Sequence, residues 1–419
     1  MKQLVRLLLF FLSFQVWADE YHYKDVLLGE RAAGLGGAYA GVSDDPSGIL
    51  YNPAGIVFGS QNYVSLSTNA YTSSEIKFKD IYAGQDYTYR SSGLTPTLIG
   101  FTQNLGKGRF GLAVAVPNSD LIDQTDTVNN ATASATEVKA LRRKFFKQDI
   151  TYLAGPAYAQ ELRDNFSIGF SLLGSFRTYK IVDITTLLYD PVNGGPYRIY
   201  NAYVNTSNLA IIPIFGAQYM PTPKLAIGLS ISKPFNVGGS GAAQITAGNL
   251  QANGTPQTPT GVFSDDYTFS DLTNVFHDIP DPLNVSLGGA YFATEKLLLA
   301  LQFDFYEGVG FSSYAVRRVL NWSLGGEYYL RQNLAVRLGL YSNNSRAKEI
   351  DPSKTDQASF VNLIGGSLGL SYYGSGSSIS LTGTYASGNG QGQAFASSFL
   401  VQTVSSKQLG ILLSGSYEL

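Results

Sequence analysis

The stretch "NWSLGGEYYLRQNLAVRLGLYSN", residues 321–343, decides the fold class. Its first half alternates apolar with polar or small side chains, as in Trp322 beside Ser323, and its second half does the same, as in Leu338 beside Arg337. Alternation with a period of two is typical of a strand that has one apolar face. The short polar turn between the halves predicts that the two strands pair as neighbours.

The same pattern recurs along the chain, for example in "RFGLAVAVP", "NFSIGFSLLGSF", "KLAIGLSIS" and "KLLLALQFDFY". With the weaker candidates, the sequence predicts about 14 strands. They are expected to begin near Asn62, Thr95, Gly108, Gln148, Asn165, Asn208, Lys224, Pro282, Lys296, Val319, Gln332, Val361, Ser377 and Lys407.

The connections between these strands alternate in length. Six short turns, such as "ELRDN" and "YLRQN", alternate with seven long segments. The long segments are predicted as loops at 71–95, 118–147, 180–207, 233–281, 307–318, 342–360 and 386–406. An up-and-down barrel with an even number of strands produces this alternation, because its short turns all lie at one end.

The composition favours a membrane-spanning barrel over a soluble β-sandwich or propeller. Charged residues make up 14% of the chain, against about 25% in soluble proteins. Tyrosine (28) and phenylalanine (24) are abundant, and the chain has no cysteine and only two histidines. Apart from the amino terminus, no long apolar helix is visible, and a chain without one can cross a membrane only as a closed barrel.

The first residues have the pattern of an export signal. Lys2 and Arg6 precede an apolar core over 7–14, and Ala18 ends a small-residue cleavage site. Residues 1–18 are therefore predicted to be a signal peptide. Its removal leaves 27 basic and 31 acidic residues, a net charge of −4 (27 − 31), which gives no reason to expect nucleic acid as a partner.

Together these features predict an all-β fold, a transmembrane antiparallel β-barrel that occupies 59–419. The apolar face of each strand is expected to meet outer-membrane lipid. The inward face carries mostly small and polar residues, with Asp304, Glu327 and Arg337 as scattered charges. Both termini are expected in the periplasm, at the end with the short turns.

A segment rich in glycine and alanine precedes the first strand. It includes "GERAAGLGGAYAGVSDDPSGILYNPAGIV", residues 29–57, and it is neither a regular helix nor a regular strand. A barrel of about 14 strands is too wide for its own side chains to fill. Residues 19–58 are therefore predicted to be a compact hatch, or plug, inside the barrel.

The hatch sequence resembles the amino-terminal hatch of the FadL/TodX (OMPP1) family of outer-membrane channels, with Asn52, Pro53 and Ala54 at the family's Asn-Pro-Ala. The late strands "LNVSLGGAYFATEKLLLALQFDFY" are similar as well. The resemblance implies passive transport of long-chain fatty acids or other hydrophobic small molecules, captured outside and released past the hatch. It also implies an inward kink in an early strand that opens a side gap. Assembly would use the outer-membrane insertion machinery.

Candidate site residues are few. Asn52, Pro53 and Ala54 are predicted to gate the hatch, and Arg337 is a possible contact for a ligand carboxylate, with an ion pair to Glu327 as its alternative. No catalytic residue, metal ligand or cofactor is predicted, since no nucleophile has a histidine base within a plausible site. Two other functions stay open, a structural barrel of a secretion or surface complex and a hydrophilic diffusion porin.

Overall fold

A computed structural model describes residues 22–59, 62–82, 85–129, 138–189, 197–250, 266–271, 281–310, 315–355, 357–394 and 399–419. The predicted signal peptide lies outside these residues, as do residues 19–21 of the predicted hatch. No helix within the described ranges has the length and apolarity needed to cross a membrane.

The chain folds into three short helices followed by strands. The helices are α1 (Glu30–Gly34), α2 (Gly48–Tyr51) and a 3₁₀-helix, η1 (Pro53–Phe58). The strands are β1 (Tyr63–Tyr82), β2 (Gln85–Leu105), β3 (Gly108–Asn129), β4 (Val138–Arg163), β5 (Phe166–Tyr189), β6 (Tyr197–Thr222), β7 (Leu225–Ser232), β8 (Phe235–Leu250), β9 (Asp266–Asp271), β10 (Asn284–Thr294), β11 (Leu297–Tyr306), β12 (Val319–Arg331), β13 (Leu334–Asn343), β14 (Phe360–Val361), β15 (Leu363–Tyr373), β16 (Ser377–Gly392) and β17 (Gln402–Glu418).

Fourteen of these strands form a closed antiparallel ring. In order they are β1 to β7, β10 to β13 and β15 to β17, and the ring closes where β17 pairs with β1. The remaining strands extend the wall: β8 pairs with β6 beyond the end of β7, β9 pairs with β8, and β14 pairs with β16. The predicted barrel of about 14 strands is confirmed.

The predicted loop boundaries are partly wrong. Strand β4 begins at Val138, ten residues before the predicted start (148 − 138), and β6 begins at Tyr197 rather than near Asn208. Much of the predicted loops 71–95, 118–147 and 180–207 is therefore strand. Outside lipid, both faces of a strand can be polar, so the side-chain alternation fades although the backbone ladder continues.

The two faces of the wall differ as predicted. On β11, Leu299, Leu301 and Phe303 are exposed while Gln302 and Asp304 are buried. The same alternation holds on β12, where Leu324 is exposed and Glu327 is buried. The exposed belt of Leu, Ile, Val and Phe has the composition of a lipid-facing surface.

Candidate functional site: the barrel interior

Residues 22–59, called the N-terminal segment below, contact the inward face of the wall on many sides. The Asn52 side chain holds the centre of this segment: its Nδ2 donates to the carbonyls of Ala40 (2.8 Å) and of Ala217 on β6 (3.2 Å). Its Oδ1 accepts from the Ala54 amide (3.2 Å) and so caps η1. Pro53 occupies the first position of η1, where a backbone N–H would have no partner within the helix, so the N–H that proline lacks is not needed. Asn52, Pro53 and Ala54 thus form one structural unit against the wall.

Glycines on the wall allow the N-terminal segment to approach the strand backbones closely. A Cβ on Gly228 would overlap the Ala40 carbonyl, and one on Gly216 would overlap the Asn52 side chain. The inward glycines that lack room for a Cβ beside the segment are Gly100, Gly111, Gly169, Gly216, Gly228, Gly288, Gly325 and Gly339. We call this set the glycine belt. It fixes the N-terminal segment at one height in the barrel, because at most of these positions the backbone of the segment packs directly on the strand.

Buried ion pairs hold α1 and the residues before it. Arg31 bonds to Glu327 on β12 (Nη2–Oε1 2.7 Å) and to Asp44 (Nη1–Oδ2 2.6 Å). Arg337 on β13 bonds the same Glu327 carboxylate (Nε–Oε2 2.6 Å) and lies 3.6 Å from Glu30. Each charge in this cluster has an opposite charge as its neighbour, which offsets the cost of removing it from water.

Arg337 does not belong to the unit that Asn52, Pro53 and Ala54 form. It is 1% exposed and also donates to the Ser371 hydroxyl (2.5 Å) and to the Tyr373 hydroxyl. A ligand carboxylate could reach it only by displacing Glu327. The observed contact of Arg337 is its ion pair with Glu327, which the sequence analysis gave as the alternative to a ligand contact.

Sequence reasoning missed the charges that the N-terminal segment contributes, Lys24, Glu30 and Arg31. Lys24 bonds to Asp304 on β11 (2.6 Å), and Glu30 accepts from the Ser378 and Ser380 hydroxyls on β16. The sequence signal that could have identified them is the presence of charged residues within a stretch of small residues. Such charges need partners if the stretch is buried.

Burial also changes the acidity of one carboxyl in this segment. Burial, and secondarily the neighbouring Asp44, raise the pKa of Asp45 to about 6. The Asp45 Oδ1 accepts from the Ser47 amide (2.7 Å) and hydroxyl (2.5 Å), which favours the charged form but does not outweigh burial. Asp45 therefore changes charge near neutral pH.

An apolar cluster lies on the inner side of the wall, between the N-terminal segment and the end of the barrel opposite the short turns. We call the end with the short turns the turn end and the opposite end the loop end. The cluster joins Leu27 of the segment to buried side chains on the wall, among them Ile76, Phe78, Tyr87, Tyr89, Ile122, Phe145, Ile181, Val204, Tyr341, Leu363 and Val404. This part of the interior is thus apolar and rich in aromatic rings.

The wall is discontinuous between β2 and β3. Their backbone ladder runs only from Leu105–Gly108 to Leu98–Ala115, although β2 extends to Gln85 and β3 to Asn129. At this height β1, β2 and β3 each have an irregularity in register, and on β3 it includes Pro117. Proline cannot donate to a ladder, which explains why pairing ends there.

Side chains bridge the two strands beyond the end of the ladder. Thr95 donates to Ser119 (3.2 Å), and Gln124 Nε2 donates to the Thr88 carbonyl (3.1 Å). Tyr87 donates to Asp126 (3.0 Å). We call this bridged region the β2–β3 seam. A few side-chain hydrogen bonds are easier to open than a continuous ladder.

Comparison with solved structures finds the same fold in two toluene transporters and a FadL homologue. The toluene transporter TodX from Pseudomonas putida superposes with a TM-score of 0.66 at 14% identity, covering 94% of this chain and 99% of that chain. The toluene transporter TbuX from Ralstonia pickettii gives 0.63 at 14% identity, with coverages of 94% and 99%. A FadL homologue from Pseudomonas aeruginosa gives 0.60 at 15% identity, with coverages of 92% and 98%.

The chain therefore has the fold of the FadL/TodX channels, as its hatch-like sequence predicted. At identities of 14–15% the likeness establishes the fold. No protein-family model and no curated protein matches the chain. The exposed apolar belt of this chain has the composition expected of a barrel that spans a membrane.

Proposed function

We propose that this protein is a passive outer-membrane channel for hydrophobic small molecules. The observation that carries the proposal is the apolar cluster at the loop end, which an entering ligand would meet before the N-terminal segment. Each methylene that leaves water for such a surface contributes about 0.8 kcal/mol. Similar structures include toluene transporters and a monoaromatic hydrocarbon channel, which agrees with this class of cargo.

In this proposal residues 19–58, most of which belong to the N-terminal segment, form the hatch, and residues 59–419 form the barrel. The turn end and both termini lie in the periplasm, and the loop end lies outside the cell. The unit Asn52-Pro53-Ala54 controls hatch movement, because three hydrogen bonds of the Asn52 side chain connect it to Ala40, to η1 and to β6. Arg337 anchors the hatch through Glu327 and Glu30.

The β2–β3 seam is the exit that we propose for the cargo. Its outer side carries exposed apolar side chains, with Leu94 at 70% and Leu121 at 45% exposure, so that it opens toward lipid. A ligand held against the apolar cluster would pass between the strands into the outer leaflet. Transport is driven only by the partitioning of the cargo from water into apolar surroundings. The partners of the protein are outer-membrane lipid, the cargo and, during assembly, the insertion machinery.

The test is uptake by cells that lack their own hydrophobic channels. Labelled oleate, labelled toluene and a small labelled hydrophilic solute are compared for the wild type, Pro53→Ala and the control Pro352→Ala, which lies in an exposed turn. Outer-membrane levels are matched first. Entry of a hydrophobic probe, reduced only in Pro53→Ala, supports the proposal. Entry of the solute alone supports a porin, and entry of no probe supports a structural barrel.

A further inference from the structure

The outer face of β4 and β5 carries basic side chains beyond the apolar belt, toward the loop end. On β5 the outward apolar run ends with Phe176, and Lys180 lies four residues further (180 − 176), about 13 Å along the strand. On β4, Lys144 and Arg142 are both exposed at outward positions. We call Arg142, Lys144 and Lys180 the outer basic surface.

Aromatic rings, rather than a carboxylate, hold Lys180 at this boundary. Its ammonium lies 5.8 Å from the centroid of the Phe146 ring on β4 and 5.8 Å from that of the Tyr203 ring on β6. Its register partners on both sides are uncharged, Gln148 and Asn205. Aromatic rings stabilise a cation from one side, so its N–H groups can still donate to an anion on the other side.

The two cations on β4 are also open to an external anion. The register partners of Arg142 are uncharged, Thr127 on β3 and Thr186 on β5, and no ion pair among the described residues includes this guanidinium. Lys144 pairs with Asp123, but the two side chains are 45% and 57% exposed. An exposed pair of this kind contributes little free energy, so it does not prevent Lys144 from binding another anion.

The charge of this surface differs from that of the same band on β1 and β2. Lys77 and Lys180 each lie 14 residues after the first residue of their strands (77 − 63 and 180 − 166). Lys77 is paired with Asp86 (2.6 Å), and Arg90 nearby is paired with Glu75 (3.4 Å). The described side chains therefore neutralise each other on β1 and β2. The outer basic surface with Asp123 has a net charge of +2 (3 − 1).

The cations are spread along the direction of the strands. Gln148, the neighbour of Lys180, is separated from Arg142 by about 20 Å along β4, with Lys144 in between. At a strand tilt of about 40°, this length corresponds to about 15 Å in height. The phosphate of a phospholipid lies at one depth and would reach part of this surface. A lipid with several phosphates on a sugar head group would reach all of it.

We propose that the outer basic surface binds the phosphorylated sugar head group of an outer-leaflet glycolipid, the lipid A part of lipopolysaccharide. From the proposed function this uses only the orientation, with the loop end outside the cell. The acyl chains lie along the apolar belt below Lys180, and the phosphates accept charge-assisted hydrogen bonds from Lys180, Lys144 and Arg142. Clusters of basic residues at a membrane surface attract anionic lipid in this way.

The first experiment measures lipid binding to the purified wild-type barrel in a neutral detergent, by native mass spectrometry. The probes are diphosphoryl lipid A, the same lipid A with both phosphates removed, and dioleoylphosphatidylglycerol. We expect diphosphoryl lipid A to bind at least about tenfold more tightly than either of the others, a difference of about 1.4 kcal/mol. Equal binding of the two forms of lipid A would overturn the proposal. Equal binding of the phospholipid would overturn the assignment to a glycolipid.

A pair of variants tests whether these cations are responsible. Lys180→Gln combined with Arg142→Gln should lower the affinity for diphosphoryl lipid A at least about tenfold and leave binding of the dephosphorylated form unchanged. The control is Lys77→Gln, an outward lysine at the same distance from the turn end that already has Asp86 as its partner. Wild-type affinity in the double variant, or an equal loss in the control, would contradict the proposal.

Thermal unfolding gives a second readout, because a ligand that binds only the folded barrel raises its melting temperature. Diphosphoryl lipid A should raise the melting temperature of the wild type and of Lys77→Gln more than that of the double variant. The same increase in all three proteins would overturn the proposal. None of these measurements involves cargo, so their failure and the failure of the proposed channel function can be told apart.

Discussion

The Glu327 carboxylate on β12 is joined to the Arg31 guanidinium of the N-terminal segment by two hydrogen bonds of 3.0 and 2.7 Å. Residues 296 positions apart thus form a bidentate pair inside the barrel. The other side of the same carboxylate binds Arg337, so that one acidic group connects the segment to two strands of the wall.

Glu327→Gln should loosen the N-terminal segment. It leaves two buried guanidinium groups without their main partner, and breaking a buried pair costs about 3–5 kcal/mol. The peptide bond after Arg31 should become a trypsin site, detected by mass spectrometry of the cleaved barrel. The matched control is Glu161→Gln, an exposed carboxylate on β4. Equal resistance of both variants would show that the cluster does not hold the segment.

Gly228→Ala should displace the N-terminal segment from the wall, because the new Cβ would overlap the Ala40 carbonyl. Overpacking of this kind costs about 1–3 kcal/mol, and more where backbone cannot yield. Ion conductance of the reconstituted barrel should rise and its melting temperature should fall. Gly383→Ala on β16 is the control, since nothing lies within 4 Å of its Cβ. If both variants behave like the wild type, the glycine belt is not needed for closure.

Locking the β2–β3 seam should stop transport. The chain has no cysteine, so Thr95→Cys with Ser119→Cys introduces a single disulfide where the two hydroxyls lie 3.2 Å apart. Oxidation should abolish hydrophobic uptake and a reductant should restore it. Ser207→Cys with Ser240→Cys, whose hydroxyls are 2.9 Å apart across β6 and β8, provides the control disulfide. Uptake that persists through the locked seam would place the exit elsewhere.

Acidification should stabilise the N-terminal segment through Asp45. Burial raises the pKa of this carboxyl from 3.8 to about 6, so the folded state binds the proton more tightly than the unfolded state. The stability that protonation provides is therefore lost as pH rises from about 4 to about 6. Asp45→Asn should make the melting temperature less dependent on pH over this range. The amide oxygen that replaces the carboxylate can still accept from Ser47. An unchanged pH slope in the variant would assign the effect to other groups.

The sequence predicted the lipid-facing half of the wall well. The alternation across residues 321–343 placed Trp322 outward and Glu327 inward, because lipid on one side and a packed interior on the other enforce a period of two. It also made Glu327 and Arg337 neighbours, and they are directly opposite in the ladder.

Other features could not be read from periodicity. The start of β4 at Val138 was missed because charged side chains interrupt the apolar alternation there, with Arg142 and Lys144 exposed on one face and Arg143 beside Phe145 on the other. The pairing of Arg31 with Glu327 depends on how an aperiodic segment folds against a distant strand. The β2–β3 seam depends on register irregularities in three strands at one height, for which Pro96 on β2 and Pro117 on β3 are the local sequence signals.

The glycine belt also connects parts of the wall that do not pair with each other. Its members lie on strands from β2 to β13, and at Gly169, Gly228, Gly288, Gly325 and Gly339 the closest atoms of the N-terminal segment include backbone atoms. Backbone cannot rotate away as a side chain can, so a shift of one of these strands has to move the segment or be resisted by it. The N-terminal segment therefore acts as an internal support that sets the distance between strands on opposite sides of the ring.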